Sequence, residues 1–96
     1  MTNTNINFLP EKRSVKIKGN ELRLRRKEYE LLEFMARNAG RVLNRLCILE
    51  YVWNYSIHCN TNTLDVHIAC LRKKLRSINA QKTIRTIHGL GYKFQV

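Results

Sequence analysis

The chain has 96 residues, of which 18 are Lys or Arg and 7 are Asp or Glu, giving a formal net charge of +11. This length forms one domain, and the 44% hydrophobic content can fill its core without disulfides or metals. The charge favours a polyanionic partner, while the lack of a long apolar run excludes a membrane-spanning protein. Three cysteines without paired spacing and a polar start without a secretory peptide predict a cytoplasmic protein with reduced thiols.

Residues 5–24 contain short alternating segments that predict a small antiparallel sheet. Val15 and Ile17 alternate with lysines, and the Gly-Asn pair at 19–20 provides a two-residue turn before the alternation resumes. Residues 6–9 offer a further strand.

Two helices are predicted next, at about residues 26–39 and 45–54. Glutamates begin the first and Arg37 ends it, as the helix dipole favours, and Gly40 can close it. Asn44 is a good N-cap for the second. The residues expected to face inward are Leu31, Leu32, Met35, Ala36 and Ala39 in the first helix and Leu46, Leu49, Val52 and Trp53 in the second. The helical pattern lapses between Asn54 and Asn60, which predicts an exposed loop.

The third predicted helix covers about residues 62–77, because one apolar stripe repeats at helical spacing: Leu64, Ile68, Leu71 and Leu75. Thr61 or Asn62 is its expected cap. Residues 83–96 then predict a hairpin with glycines at the bend. A cationic helix followed by a basic hairpin is typical of a winged helix, in which the helix enters the DNA major groove and the hairpin, or wing, touches the neighbouring backbone or minor groove.

The stripe leaves the opposite face of the third helix open to two interpretations. As a recognition surface, Asn62 and His67 can hydrogen-bond base edges, and Val66 or Ala69 can meet a thymine methyl. Small Ala69 and Cys70 also let the backbone approach the bases. In the other interpretation, Val66, Ala69 and Cys70 form a second buried face beside solvated lysines. Because three helices and a small sheet seldom bury a terminal helix on both sides, the recognition surface is favoured.

The sequence offers little support for nucleotide binding, metal binding or catalysis. The Gly-x-Gly at the bend lacks Rossmann spacing, so a turn is favoured over a nucleotide loop. His58, Cys59, His67 and Cys70 match no standard metal-ligand pattern. The single Asp leaves no paired carboxylates in the cationic half, and no Ser is placed with a His and an acid. We therefore predict a protein that is not an enzyme and uses no metal or cofactor.

The chain resembles the winged-helix effector domain of the OmpR/PhoB family of bacterial response regulators. The matching residues are Leu24, Glu28, Tyr29, Leu31, Leu32, Gly40, Val42, Arg45, Leu49, Val52, Trp53, Leu64, Asp65, Val66, His67, Ile68, Leu71, Arg72, Lys74, Leu75, Thr86, Ile87, Gly89, Gly91 and Tyr92. Family members often have arginines where this chain has Asn62, Ala69 and Cys70, so the target sequence does not carry over. The resemblance implies tandem protomers on direct-repeat DNA and a loop at 54–60 that can touch RNA polymerase. Family members usually also carry an N-terminal receiver domain with its sensor kinase, so the chain resembles either an excised effector domain or a receiver-less regulator.

We therefore predict one α+β winged helix-turn-helix domain, with an N-terminal antiparallel sheet, three helices and a C-terminal hairpin wing. Its expected function is sequence-specific binding of double-stranded DNA by a two-component transcription regulator. The alternative is a basic winged helix for protein interaction or nonspecific nucleic-acid binding. The expected base-reading residues are Asn62, Val66, His67, Ala69 and Cys70. The expected phosphate-binding residues are Thr63, Arg72, Lys73, Lys74, Arg76 and Arg45, and those of the wing are Arg85, Thr86 and His88.

Overall fold

The computed structural model describes residues 6–54 and 62–95. In chain order, the elements within these ranges are β1 (Ile6–Leu9), β2 (Ser14–Ile17), β3 (Asn20–Arg23), α1 (Arg26–Arg37), β4 (Val42–Leu43), α2 (Arg45–Trp53), α3 (Asn62–Arg76), β5 (Ile84–Ile87) and β6 (Gly91–Phe94). One 3-10 turn at Gln81–Thr83 precedes β5. Two antiparallel sheets and three helices in this order confirm the α+β winged-helix fold that the sequence predicts.

The N-terminal sheet has the order β1-β2-β3, so the further strand that the sequence offered is present as β1. Val15 lies opposite Phe8 on one side and Leu22 on the other, and its side chain is fully buried. Successive side chains of a strand point to opposite faces, so Lys16 of β2 and Arg23 of β3 lie on the face away from the core. Lys16 and Arg23 are accordingly exposed. The sheet therefore covers the core with one face and presents basic side chains on the other.

α1 begins with a cap formed by its own third residue. The Glu28 carboxylate accepts a hydrogen bond from the backbone N–H of Arg25 at 2.9 Å, as the acidic residue of a capping box does. The helix ends at Arg37, and Asn38 leaves helical geometry. Ala39 lies beyond this end and is exposed, so the expectation that it faces inward is wrong. The other expected inward residues belong to the core or pack against it: Leu31, Leu32, Met35 and Ala36.

α2 buries the expected face except at Leu46, since Leu49, Val52 and Trp53 belong to the core or pack against it. Its N-cap is Asn44, whose side chain accepts the backbone N–H three residues later at 2.7 Å. Leu46 is 56% exposed, whereas Ile48, Leu49 and Val52 are buried. Leu46 precedes Ile48 by two residues, which is a rotation of about 200° around the helix. The prediction that Leu46 is buried is therefore wrong, and Ile48 takes its place in the core.

α3 and the C-terminal sheet complete the core. The predicted stripe is present, since each of its four members is at most 1% exposed: Leu64, Ile68, Leu71 and Leu75. The wing is the hairpin of β5 and β6, with Ile87 opposite Gly91 at its end. β4 adds a third strand, giving the order β4-β6-β5. The sequence did not reveal β4, because two residues are too few to show an alternating pattern.

Gly91 lies where the wing strand passes closest to β4. Its φ is +150°, and a Cβ at this position would lie 2.0 Å from the backbone oxygen of Leu43 and 2.9 Å from the Cα of Asn44. No side chain fits in this space. The glycine thus allows the wing to pack directly against the segment that begins α2.

Candidate nucleic-acid interface

The outward face of α3 carries small and uncharged side chains and ends in cations. Val66 is 57% exposed. The other exposed residues of this face are Asn62, Ala69, Cys70, Lys73 and Arg76. The interpretation as a second buried face is therefore wrong. This strip is the part of the helix that a partner can reach.

His67 lies on one flank of the strip and is held in place by two neighbours. Its Nδ1 lies 2.7 Å from the backbone oxygen of Thr63, and its ring forms a T-shaped contact with the ring of Trp53 at a centroid distance of 4.9 Å. A carbonyl oxygen only accepts, so this hydrogen bond requires a proton on Nδ1. In the neutral ring, Nε2 is then an acceptor available to a partner. Trp53, expected only in the core, is half-buried and packs against His67.

Arg72 connects α3 to the wing. Its guanidinium donates to the backbone oxygen of Ile84, from Nε at 3.3 Å and from Nη2 at 3.1 Å, and to Thr86 Oγ1 at 2.7 Å. It also lies 5.7 Å from the centre of the Tyr92 ring. The donors of Arg72 therefore point at the wing, and Thr86 is the acceptor that receives one of them. The structure brings these two predicted site residues together.

Asp65 joins α2, α3 and β6 through one carboxylate oxygen. Oδ1 accepts from Arg45 Nη1 and from the Tyr92 hydroxyl, the latter at 2.6 Å. The hydrogen bond from Arg45 outweighs desolvation and, with that from Tyr92, holds the pKa of Asp65 below its usual value. Burial, followed by the hydrogen bond to Asp65, raises the pKa of the Tyr92 hydroxyl. The sequence analysis predicted phosphate binding for Arg45 but did not reveal its ion pair with Asp65.

Lys74 forms an ion pair that crosses from α3 to the start of α1. Its Nζ lies 2.5 Å from Oε1 of Glu28, whose side chain is only 4% exposed. Burial raises the pKa of this carboxyl, but the hydrogen bonds from Lys74 and from the N–H of Arg25, with the charge of Lys74, outweigh burial and leave the pKa below its ordinary value. Lys74 thus neutralises a buried carboxylate.

These two carboxylates predict a loss of stability in acid. The unperturbed pKa values are 4.5 for Glu28 and 3.8 for Asp65, and both are lowered in the fold. Because a lowered pKa favours the folded state only while the group is ionised, their contribution is complete above about pH 5 and is lost as the pH falls through the folded pKa values. We expect urea unfolding to give a constant free energy from neutral pH to about pH 5 and a steep decline below it.

The variant Asp65→Asn separates the two contributions to this decline. It should be less stable than the wild type at neutral pH and should lose less stability on acidification, because one carboxyl group with a lowered pKa has been removed. An acid decline of unchanged size in Asp65→Asn would contradict the link between Asp65 and acid unfolding.

The wing exposes a cation, an imidazole and an apolar side chain, and its second cation, Lys93, is half-buried. Arg85 is exposed, and its Nη1 lies 3.5 Å from Gln95 Oε1. His88 is exposed at the bend, next to Leu90, which is 62% exposed. Among the residues described, Lys73, Arg76 and Arg85 form no ion pair, so their charges remain available to an anionic partner.

Several predictions concern residues outside the described ranges. The predicted loop, apart from Asn54, lies there, as do Thr61 and two of the four residues weighed as metal ligands, His58 and Cys59. Within 6–54 and 62–95, no three His, Cys, Asp or Glu side chains are grouped so that they could hold a metal ion. None of the helices in these ranges has the length and apolarity that crossing a membrane requires.

An N-terminal sheet, three helices and a hairpin wing, with the outer face of the third helix open, define a winged-helix regulator domain. The sequence profile of the family described as "Transcriptional regulatory protein, C terminal" matches residues 19–94. The chain belongs to this family, whose members are effector domains of the OmpR/PhoB type.

Two curated relatives are regulators that are longer than this chain. The response regulator ArlR of Staphylococcus epidermidis is 42% identical over 78 residues, which cover 81% of this chain and 36% of ArlR. The alkaline phosphatase synthesis transcriptional regulatory protein PhoP of Bacillus subtilis is 42% identical over 92 residues, which cover 94% of this chain and 38% of PhoP. The chain therefore spans little more than a third of the length of these relatives.

Solved structures agree with this assignment. The DNA-binding domain of the response regulator AdeR, solved in complex with an intercistronic region, has a TM-score of 0.83 at 25% identity and covers 99% of this chain and 98% of that one. The response regulator DrrB of Thermotoga maritima, an OmpR/PhoB homologue, has a TM-score of 0.79 at 31% identity and covers 100% of this chain and 44% of that one. These similarities confirm the OmpR/PhoB resemblance read from the sequence.

Proposed function

We propose that this domain binds double-stranded DNA sequence-specifically, with α3 in the major groove and the wing on the adjacent backbone or minor groove. The observation that carries the proposal is the outward face of α3, where exposed uncharged side chains are followed by Lys73 and Arg76. Base edges are read by hydrogen bonds and apolar contacts, while phosphates are held by cations, so this order of side chains suits a groove and its rim. The domain then acts by binding and positioning and performs no chemistry.

The contacts within the fold divide the predicted site residues into two groups. Residues with exposed or outward groups are proposed to contact DNA directly: Asn62, Val66, His67, Ala69 and Cys70 at the bases, and Thr63, Lys73, Arg76, Arg85 and His88 at phosphates. The others are engaged with protein partners and are proposed to hold α3, α2 and the wing in position: Arg45, Arg72, Lys74 and Thr86.

The similarity to regulators that are described with DNA supports the proposal. The AdeR domain was solved with an intercistronic region, and the DNA-binding domain of RstA of Klebsiella pneumoniae with its RstA box. We extend the comparison to regulation: the chain is proposed to serve a bacterial two-component transcription regulator in the cytoplasm, as tandem protomers on DNA. A receiver domain with its sensor kinase, and RNA polymerase at residues 54–60, are the further proposed partners.

A selection experiment tests the specificity of binding. Duplexes bound at physiological salt are recovered from a random pool and sequenced, and a repeated motif is expected to be enriched. The salt dependence of binding to that motif is then compared for the wild type, Lys73→Ala and Lys16→Ala. Lys16 is the control because it is exposed on β2, away from α3. Log affinity falls as log salt rises, and the loss of one phosphate contact should make this fall less steep by about 0.9. We expect this change for Lys73→Ala only.

Two results would count against the proposal in different ways. Recovery of duplexes without any common motif would favour the nonspecific alternative. A motif combined with equal slopes for Lys73→Ala and Lys16→Ala would mean that the specific surface lies elsewhere than on α3.

A further inference from the structure

A second concentration of positive charge lies at the N-terminal side of the domain. An open cleft of about 650 Å³ separates the β1–β2 turn, the junction of β3 with α1, and Lys74 near the end of α3. The two N-terminal segments are joined by the hydrogen bond from the N–H of Leu24 to the backbone oxygen of Arg13, at 3.0 Å. We call this cleft the basic pocket and define it by its cations: Lys12, Arg13, Arg23, Arg25 and Lys74.

Among the described residues, only one cation of the basic pocket forms an ion pair, and Glu28 also acts electrostatically on a second, Arg25. Lys74 is neutralised by Glu28, and Glu11 is the one carboxylate in the lining. Within the described residues, the side chains of Lys12, Arg13, Arg23 and Arg25 form no ion pair or hydrogen bond, and all four are exposed. The next cations along the chain differ, since both are paired with Glu30: Arg26 and Lys27. Like charges gathered without partners repel one another and favour a bound anion.

The position of the basic pocket relates it to the outward face of α3. Lys74 follows His67 by seven residues, so it lies on the same flank, about 10 Å further along the helix axis. Lys73 and Arg76 leave the helix at this same end. A duplex whose major groove holds α3 therefore brings a phosphate backbone past the C-terminal end of the helix, beside the pocket.

We propose that the four cations of the basic pocket without an ion pair, namely Lys12, Arg13, Arg23 and Arg25, form a second phosphate-binding site, which receives the DNA backbone flanking the groove occupied by α3. This inference rests on the proposed function. Guanidinium groups suit the ligand, because each can donate two parallel hydrogen bonds to one phosphate, and three of the pocket's cations are arginines. The pocket lies beside the end of α3 that carries Lys73, so one DNA backbone can contact both. An acidic peptide would match the charge of the pocket, but its binding does not require contact with Lys73.

The test compares two double variants that lose equal charge from the same sheet. Arg13→Gln with Arg23→Gln empties one side of the basic pocket, and Lys16→Gln with Lys18→Gln is the control. The replaced residues match in pairs: Arg13 and Lys18 are exposed turn residues that both have φ of +50°, while Arg23 and Lys16 are exposed on the outer face of adjacent strands. None of these side chains has a partner among the described residues, so both variants should fold like the wild type.

Binding to the motif selected above is measured against salt, on duplexes ending at the motif and on duplexes extended by several base pairs on each side. The pocket variant should lower the salt slope by about two units on the extended duplex, since each phosphate contact contributes about 0.9. It should match the wild type on the short duplex. The salt slope of the control variant should fall by less than that of the pocket variant on the extended duplex. The difference between its slopes on the two duplexes should equal that of the wild type.

Three outcomes would overturn the second site. The first is equal slopes for the two double variants on the extended duplex. The second is a pocket variant that is weakened equally on both lengths, which would indicate a general charge effect. The third is a pocket variant that keeps the wild-type salt slope on DNA but no longer binds polyglutamate, used as a probe for acidic peptides, where the wild type does. This result would identify an acidic protein surface as the partner. In each case the proposed function survives if the wild type still selects a motif, and it fails only if no motif emerges.

Discussion

Gly91→Ala is expected to lower the free energy of unfolding by about 3–5 kcal/mol, enough to unfold a large part of the protein in mild urea. The cause is the contact with the segment that begins α2, because the new Cβ would lie 2.0 Å from the backbone oxygen of Leu43. The atoms that this Cβ would meet belong to the backbone of Leu43 and Asn44 and not to a flexible side chain, so β6 must move away from β4. Urea unfolding followed by circular dichroism measures the loss, and tryptophan fluorescence reports on the α2 region through Trp53.

Gly89→Ala is the matched control in the same hairpin. Gly89 also has a positive φ, at +79°, but a Cβ there would meet nothing within 4 Å. Its expected cost is therefore only that of a left-handed conformation, about 1–2 kcal/mol. Equal costs for the two alanines would contradict the conclusion that β6 depends on a close backbone approach at Gly91.

Lys74→Met is expected to cost about 3 kcal/mol of stability at neutral pH, because it leaves a charged Glu28 side chain buried without its partner. Met keeps the length of the side chain and removes the ammonium. The double variant Glu28→Gln with Lys74→Met should recover part of this loss, since no uncompensated charge remains. Urea unfolding of the wild type, both single variants and the double variant gives the coupling between the two residues.

The same variant distinguishes two neighbouring lysines, Lys73 and Lys74, to which the sequence assigned the same phosphate-binding role. Folded Lys74→Met should keep the salt slope of the wild type, because Glu28 already neutralises Lys74, whereas Lys73→Ala should lower it. A stable Lys74→Met protein with a reduced slope would mean that Lys74 contacts phosphate and that its pair with Glu28 contributes little.

The periodicity of the apolar residues predicted α3 correctly and α2 only in part, for a physical reason. On α3, the apolar stripe is separated from polar positions, so the pattern has one solution. On α2, apolar residues occupy nearly the whole circumference, and the pattern does not select a face. Leu46 and Tyr51 are in fact exposed, while Ile48 is buried. The choice depends on what packs against the helix: Tyr51, for example, stacks on Phe34 of α1 at 4.2 Å.

The polar contacts of the candidate site could not be predicted from spacing. Arg72, Lys73 and Lys74 are consecutive, and the sequence predicted phosphate binding for all three. The fold separates them, because Arg72 meets a wing residue 14 positions away and Lys74 meets a carboxylate 46 positions away. Such partners are brought together by tertiary packing, and the spacing of residues along the chain does not reveal them. The outward position of Val66 and Cys70 depends only on helical geometry, so that part of the site was predictable.

The link that Arg72 makes between α3 and β5 has a consequence for how DNA of different sequence is distinguished. With three donated hydrogen bonds between the helix and the wing, the two elements keep a fixed separation. In the proposed complex, this separation has to match the distance between the major groove and the neighbouring backbone. A duplex in which this distance already matches would bind without distortion. A duplex with a wider or narrower groove would have to deform, at a cost in free energy that depends on its base sequence. The domain would thereby respond to groove dimensions at base pairs that no side chain touches.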